Sequence, residues 1–137
     1  MRLLLRLAAI GIGSLLSIGA FAAQLGDSPN RTELHRADLS GAPGMEVIAS
    51  IVRVKPGEST PRHSHHGIEA AYVVQGTVVQ YPGHPPQMLK TGSSLFNLRD
   101  AVHSGFKVIG PDTLVIYTVH VVDKGKPLYE PATKSGP

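Results

Sequence analysis

Four side chains carry most of the chemistry open to this sequence. His63 and His65 are two residues apart, so on an extended chain they project from one face. Glu69 lies six residues after His63, at the start of the next apolar run. His103 comes much later, at the end of the stretch LFNLRDAVH. These three imidazoles and one carboxylate converge if the strands that carry them close into a barrel. They would then fill one face of a divalent ion and leave positions open for water or a substrate. Neutral imidazole and carboxylate suit Mn, Fe, Co, Ni, Cu and Zn alike, so ligand type leaves the metal open. Glu69 is the one carboxylate near the group. Released from an ion it could act as a general base, which makes it the candidate catalytic residue. No Ser-His-Asp or paired-carboxylate arrangement competes with this group.

The other histidines read differently. His66 has the wrong alternation to join His63 and His65. His120 shares a strand face with Leu114, Ile116 and Thr118, and it could point into a barrel behind the ligands or be an ordinary core or surface residue. His35 and His84 read as surface residues.

Strands must position these groups. Met45 to Val54 (MEVIASIVRV) is rich in Val and Ile and ends at the Lys55-Pro56-Gly57 turn. Glu69 to Val74 and Thr77 to Tyr81 flank Gln75-Gly76, which reads as the tight turn of a hairpin. Gln87 to Lys90, Ser94 to Leu98, His103 to Ile109 and Thr113 to Val122 complete the set, separated by Gly and Pro signals. The total of 15 Gly and 11 Pro fits many turns and few long helices. No stretch after residue 22 has helical apolar spacing. Seven or eight short strands mean an all-β sandwich or barrel, and strand spacing alone leaves immunoglobulin-like and jelly-roll architectures both open.

The histidine-bearing stretch resembles the cupin superfamily. Gly57, His63, His65, Glu69 and Gly76 match every position and spacing of the first cupin motif. In the second motif Gly92 and His103 are present, while Leu98, Asp100 and Lys107 replace its usual Pro, Gly and Asn. Fifteen residues separate Gly76 from Gly92, a compact interval found in small single-domain cupins. The resemblance, to small exported bacterial cupins of the type-2 class, runs from about Val47 to Val122. It implies a cupin (jelly-roll) β-barrel over residues 45–123 and one divalent metal bound by His63, His65, Glu69 and His103. Segment 23–44 would be a lead-in and edge segment, and 124–137 a surface tail.

Residues 1–22 read as a secretory signal peptide. Arg2 and Arg6 precede an apolar stretch that ends in Ala20-Phe21-Ala22, so cleavage is expected before Ala23. The expected product is periplasmic or secreted, without a stable membrane anchor. Loss of the two arginines also removes much of the formal +3 charge. The remaining basic residues form no run, which argues against a nucleic-acid partner. Cysteine is absent, so disulfides and thiolate sites are excluded.

The resemblance implies a metal-dependent enzyme acting on a small organic substrate chelated to the ion. Dioxygenase chemistry leads, ahead of isomerase or lyase activity. The alternative is a non-catalytic periplasmic binding or carrier protein with the same pocket. A homodimer is expected, with Thr32 to Val54 as its likeliest contributor, because a small antiparallel barrel gains from covering an edge strand.

Overall fold

The computed structural model describes residues 27–132. The expected signal peptide and its cleavage site lie outside the described residues. The elements are Arg31–Asp38 (β1), Met45–Val54 (β2), Arg62–Ser64 (β3), Gly67–Gln75 (β4), Thr77–Gln80 (β5), Gln87–Leu89 (β6), Ser94–Asn97 (β7), His103–Ser104 (β8), Lys107–Val108 (β9), Leu114–Asp123 (β10) and Glu130–Pro131 (β11). All are strands, and all their pairings are antiparallel. The all-β fold expected from the sequence is therefore the one observed.

A five-stranded sheet runs in the order β1-β2-β10-β4-β7. Two three-stranded sheets, β11-β3-β8 and β6-β5-β9, complete the barrel. β2 and β10 are the long central strands, and their Val- and Ile-rich alternation suits a surface buried on one face. Along β10 the inward residues are Leu114, Ile116, Thr118, His120 and Val122, all buried. Along β4 they are Gly67, Glu69, Ala71 and Val73.

Register across the sheet turns this alternation into inward rows. Val52, Ile116 and Val73 form one row, Ser50, Thr118 and Ala71 the next, and Ile48, His120 and Glu69 the third. Below the polar rows, Val54, Val73, Val79, Val108 and Leu114 are fully buried with Phe106 beside them. Each such side chain contributes roughly 1.5–3 kcal/mol relative to exposure. Above the rows, Ile48 and Val122 pack with Leu128 and Tyr129. The polar groups thus sit between two apolar clusters that hold the barrel together.

Three details differ from the sequence reading. Gln75-Gly76 does not close a hairpin. β4 pairs with β10 and β7, whereas β5 pairs with β6 and β9, so the chain crosses between sheets at Gly76. Glycine is required by close approach, since a Cβ there would stand 2.1 Å from the Leu89 carbonyl oxygen. A Gln-Gly pair signals the bend but carries no information about which strand comes next to it.

The stretch His103 to Ile109 is not one strand. Ser104 and Gly105 both have positive φ, of 61° and 82°, which breaks the extended chain. β8 therefore pairs with β3 and β9 with β5, in different sheets.

The C-terminal segment is not a surface tail throughout. Leu128 and Tyr129 are buried, and β11 pairs with β3. Two apolar residues among prolines gave too little pattern to predict docking.

Candidate metal centre

Cross-strand pairing assembles the centre. His63 on β3 lies directly opposite His103 on β8. Glu69 on β4 lies opposite His120 on β10 and Asn97 on β7. His65 follows β3 and is fully buried. When the two sheets face each other, these pairs meet inside the barrel.

The backbone fixes the imidazole tautomers. Nδ1 of His63 donates to the Pro61 carbonyl at 2.9 Å, and Nδ1 of His103 to the Ala101 carbonyl at 3.0 Å. Nδ1 of His65 donates to the carbonyl of Leu128. A carbonyl oxygen can only accept, so each Nδ1 carries a proton, and Nε2 keeps its lone pair whenever the ring is neutral. Those lone pairs converge. His65 Nε2 lies 3.2 Å from His103 Nε2, and Glu69 Oε2 lies 3.3 Å and 3.1 Å from the same two atoms. Potential donor atoms of His63, His65 and His103 all lie within 4.8 Å of one another. This crowd of electron pairs needs a cation, a proton or a metal ion, at its centre.

Titration behaviour fits a ligand set. Burial pushes His63 and His120 down to about 4, so both are neutral near pH 7. Burial alone would raise Glu69, but hydrogen bonds from His103 and His65, given where Nε2 carries a proton in place of a metal ion, outweigh it and hold the carboxyl well below its ordinary range. Burial would lower His103, and the Glu69 carboxylate reverses this and raises it. A proton on His103 thus occupies the place that a metal ion would compete for.

The structure groups His63 with His65 and His103, and places Glu69 beside His65 and His103. His66 points elsewhere, with Nδ1 3.3 Å from Asp100 and Nε2 3.5 Å from Glu130. His35 and His84 are exposed.

His120, left open by the sequence, is fully buried with its Nε2 3.6 Å from Glu69 Oε1. Neither of its ring nitrogens has a hydrogen-bond partner among the described residues. His65, Glu69 and His120 form a second convergent group of donors. Two further residues were missed. Asn97 Nδ2 donates to Glu69 Oε2 at 2.8 Å, which fixes the carboxylate. Tyr129 packs its ring 4.4 Å from that of His63, and burial pushes its hydroxyl up, so it stays protonated. Only the register of β7 and the docking of the C-terminal segment place these two.

The second motif also explains itself. Asp100 stands where the motif usually has Gly, and it adopts the left-handed conformation at φ 60°. Asp tolerates that region better than most residues, and its N–H donates to the His65 carbonyl at 2.9 Å. The turn before His103 is therefore retained without the glycine.

A cavity of about 200 Å³ opens onto the cluster. His63, Glu69, His103 and Asn97 form its polar end, and Val52, Ala71, Phe106 and Ile116 its apolar wall. A more open recess, lined by Arg62, Tyr81 and His84, lies beyond His103.

The cupin domain family, Cupin_2, matches residues 50–120, more than half of the chain. This chain is a cupin. Solved structures with the same fold include the DMSP lyase DddQ from Ruegeria pomeroyi, at 18% identity and a TM-score of 0.52. That match covers 66% of this cupin and 45% of the lyase chain, so this cupin spans less than half of the lyase's length. An uncharacterized conserved protein with a double-stranded beta-helix domain from Klebsiella pneumoniae aligns at 15% identity and a TM-score of 0.55, over 73% of this cupin and 82% of that chain. The polyketide cyclase RemF from Streptomyces resistomycificus aligns at 21% identity and 0.51, over 69% and 75%. At such identities the likeness is one of fold. No curated protein matches this cupin in sequence.

The cluster fits a divalent ion on chemical grounds. Three imidazoles are held through Nδ1 so that Nε2 is the atom left for an ion, a carboxylate lies beside two of them, and backbone and Asn97 hydrogen bonds fix their orientation.

Proposed function

We propose that this cupin is an exported, metal-dependent enzyme that acts on a small organic substrate, with dioxygenase chemistry the leading reading. The observation that carries it is the grouping of donor atoms from His63, His65 and His103, with Glu69 beside His65 and His103, next to a cavity lined by His63, Glu69 and His103. His63, His65, Glu69 and His103 would hold the ion. A redox-active ion there supplies electron transfer and Lewis acidity to substrate oxygens.

The chain's own residues then have separable tasks. The Nδ1–carbonyl bonds orient the imidazoles. Asn97 holds Glu69, and Glu69 is placed to accept a proton from a bound substrate. Tyr129 and Phe106 limit water at the cluster, and the apolar wall binds the hydrocarbon part of the substrate.

Metal analysis of protein purified from its native periplasm tests the reading, together with oxygen uptake. Fe, Mn, Ni or Cu with substrate-dependent oxygen uptake supports it. Zn supports isomerase, lyase or hydrolase chemistry, and ligand binding without turnover supports a carrier. Export is tested by intact mass, with Ala23 expected as the first residue.

We also infer a homodimer. The outer face of the five-stranded sheet exposes Tyr72, Val74, Phe96 and Tyr117, and β1 leaves an open edge. A dimer by light scattering at micromolar concentration is expected, and a monomer overturns this inference.

A further inference from the structure

The open recess beyond His103 presents Arg62, His84 and Gln87 to solvent. Tyr81, His103 and Ser104 line both this recess and the cavity at the cluster, so the two adjoin. No Asp or Glu is among the described residues that line the recess, and Arg62 is the one Lys or Arg among them.

The fold places Arg62 and leaves its head free. On β3 it lies opposite Ser104 of β8, and its carbonyl accepts from the Ala132 N–H at 3.1 Å. Its stem is set by a glycine. Gly105 has φ 82°, and a Cβ there would stand 2.3 Å from Arg62 Cγ and 3.1 Å from Cδ. Bare backbone at Gly105 therefore gives the hydrocarbon part of the arginine its place. The guanidinium beyond it is paired with no carboxylate among the described residues.

Arg31 reaches the inner face of the sheet but is already engaged. Its buried guanidinium bonds Asp27 and Glu33, which offset its charge, and Nη1 donates to Ser50 Oγ at 2.7 Å. The free counter-charge thus lies in the recess and not inside the barrel. A guanidinium offers a planar fork that meets a carboxylate with two parallel hydrogen bonds. A stem fixed before binding also lowers the ordering cost. One such group matches the single charge of a carboxylate, and His84 and Gln87 add donors without a second permanent cation.

We propose that Arg62 is a substrate-binding residue and that the substrate is a carboxylic acid held at two ends. An oxygen-bearing head lies at the His/Glu cluster. The carbon chain passes Phe106 and Tyr81, whose rings pack edge-on at 5.5 Å, and a terminal carboxylate meets Arg62. This rests on the metal-centre reading given above. It adds a ligand class to that reading, and a residue that selects for it.

The test uses the cobalt(II)-loaded protein, whose visible spectrum reports on ligands at the centre. Glutarate, adipate, pimelate and suberate are titrated into the wild type, Arg62→Met and Lys55→Met, each beside the monocarboxylate of the same carbon number. In the wild type at least one diacid should bind about tenfold more tightly than its monoacid, the scale of one two-point pair between guanidinium and carboxylate. Arg62→Met keeps an apolar stem and removes the charge. It should abolish the margin, with cobalt content and monoacid affinity unchanged. Lys55→Met removes an exposed charge outside the recess and should keep the margin. Melting curves confirm that both variants fold. No margin at any length in the wild type, a margin that survives in Arg62→Met, or equal loss in both variants would overturn the proposal and leave Arg62 a solvated surface charge. Failure to take up cobalt, or a cobalt spectrum that no acid perturbs, would instead overturn the metal-centre reading and this proposal with it.

Discussion

His65 Nε2 and His103 Nε2 face each other at 3.2 Å, although both Nδ1 atoms are committed as donors to backbone carbonyls. Two imidazole lone pairs at this distance repel unless a cation lies between or beside them. Glu69 Oε2, 3.3 Å and 3.1 Å from the two nitrogens, adds negative charge to the same point. The fold thus spends local stability to hold an electron-rich cluster in place, as a site for a bound cation requires.

Replacing His63, His65 or His103 with alanine should remove most of the metal and leave the fold. The barrel core is Val, Ile and Leu from several strands, so it persists without any one imidazole. Loss of affinity should exceed the roughly 10–100-fold typical of an outer-shell change. His66→Ala should keep its metal, because His66 faces Asp100 and Glu130. Elemental analysis and melting curves on the four variants check this. Full metal content in both His63→Ala and His103→Ala would place the ion elsewhere.

Glu69→Gln keeps the shape but removes the charge. Metal affinity should fall, and turnover, if the protein is an enzyme, should fall much further because the carboxylate base is gone. Asn97→Ala frees the carboxylate from its 2.8 Å hydrogen bond and should lower metal affinity by roughly 10–100-fold. Competition with a chelator measures both. Equal affinity in Asn97→Ala and the wild type would show that Asn97 does not orient Glu69.

A chain ending at Gly125 should lose both stability and metal affinity. It lacks the buried Leu128 and Tyr129 and the carbonyl that fixes His65 Nδ1. Removing two large buried side chains typically costs several kcal/mol. Denaturant melts and metal titration of the truncated protein would show it, and an unchanged midpoint would mean that the segment is dispensable.

The metal-free protein should weaken as pH falls from about 6.5 to about 4. His63 and His120 are held near 4 in the folded chain, against an unperturbed value of 6.5. In that window the unfolded chain binds protons that the folded chain refuses, so stability is present above it and lost through it. Each histidine contributes a slope approaching about 1.4 kcal/mol per pH unit. Glu69, held below its ordinary range, extends the loss to lower pH. His103 is raised and acts oppositely, its contribution being full at low pH and lost as pH rises through its folded value. Denaturant melts at pH 7.5, 6 and 5 give the balance, and a flat profile would contradict the burial of His63 and His120.

Much of this protein can be read along the chain. Period-two alternation marks β2, β4 and β10 and puts His120 on one face with Leu114, Ile116 and Thr118, while leaving open which way that face turns. The Gly57 to Gly76 spacing brought out three of the four candidate ligands, and His103 followed at its expected distance. These are local signals, set by side-chain direction on an extended strand and by turn residues. Pairing is not local. Nothing in Gln75-Gly76 says that β5 leaves the sheet of β4, and nothing in Ser104-Gly105 says that β8 and β9 part company. Asn97 reaches Glu69 because β7 takes the edge beside β4, and Tyr129 reaches His63 because β11 adds to β3. The sequence determined which side chains share a strand face and which chemistry they can do. Tertiary structure decided which of them meet, because contacts between strands distant in sequence depend on how the sheets close and not on any local pattern.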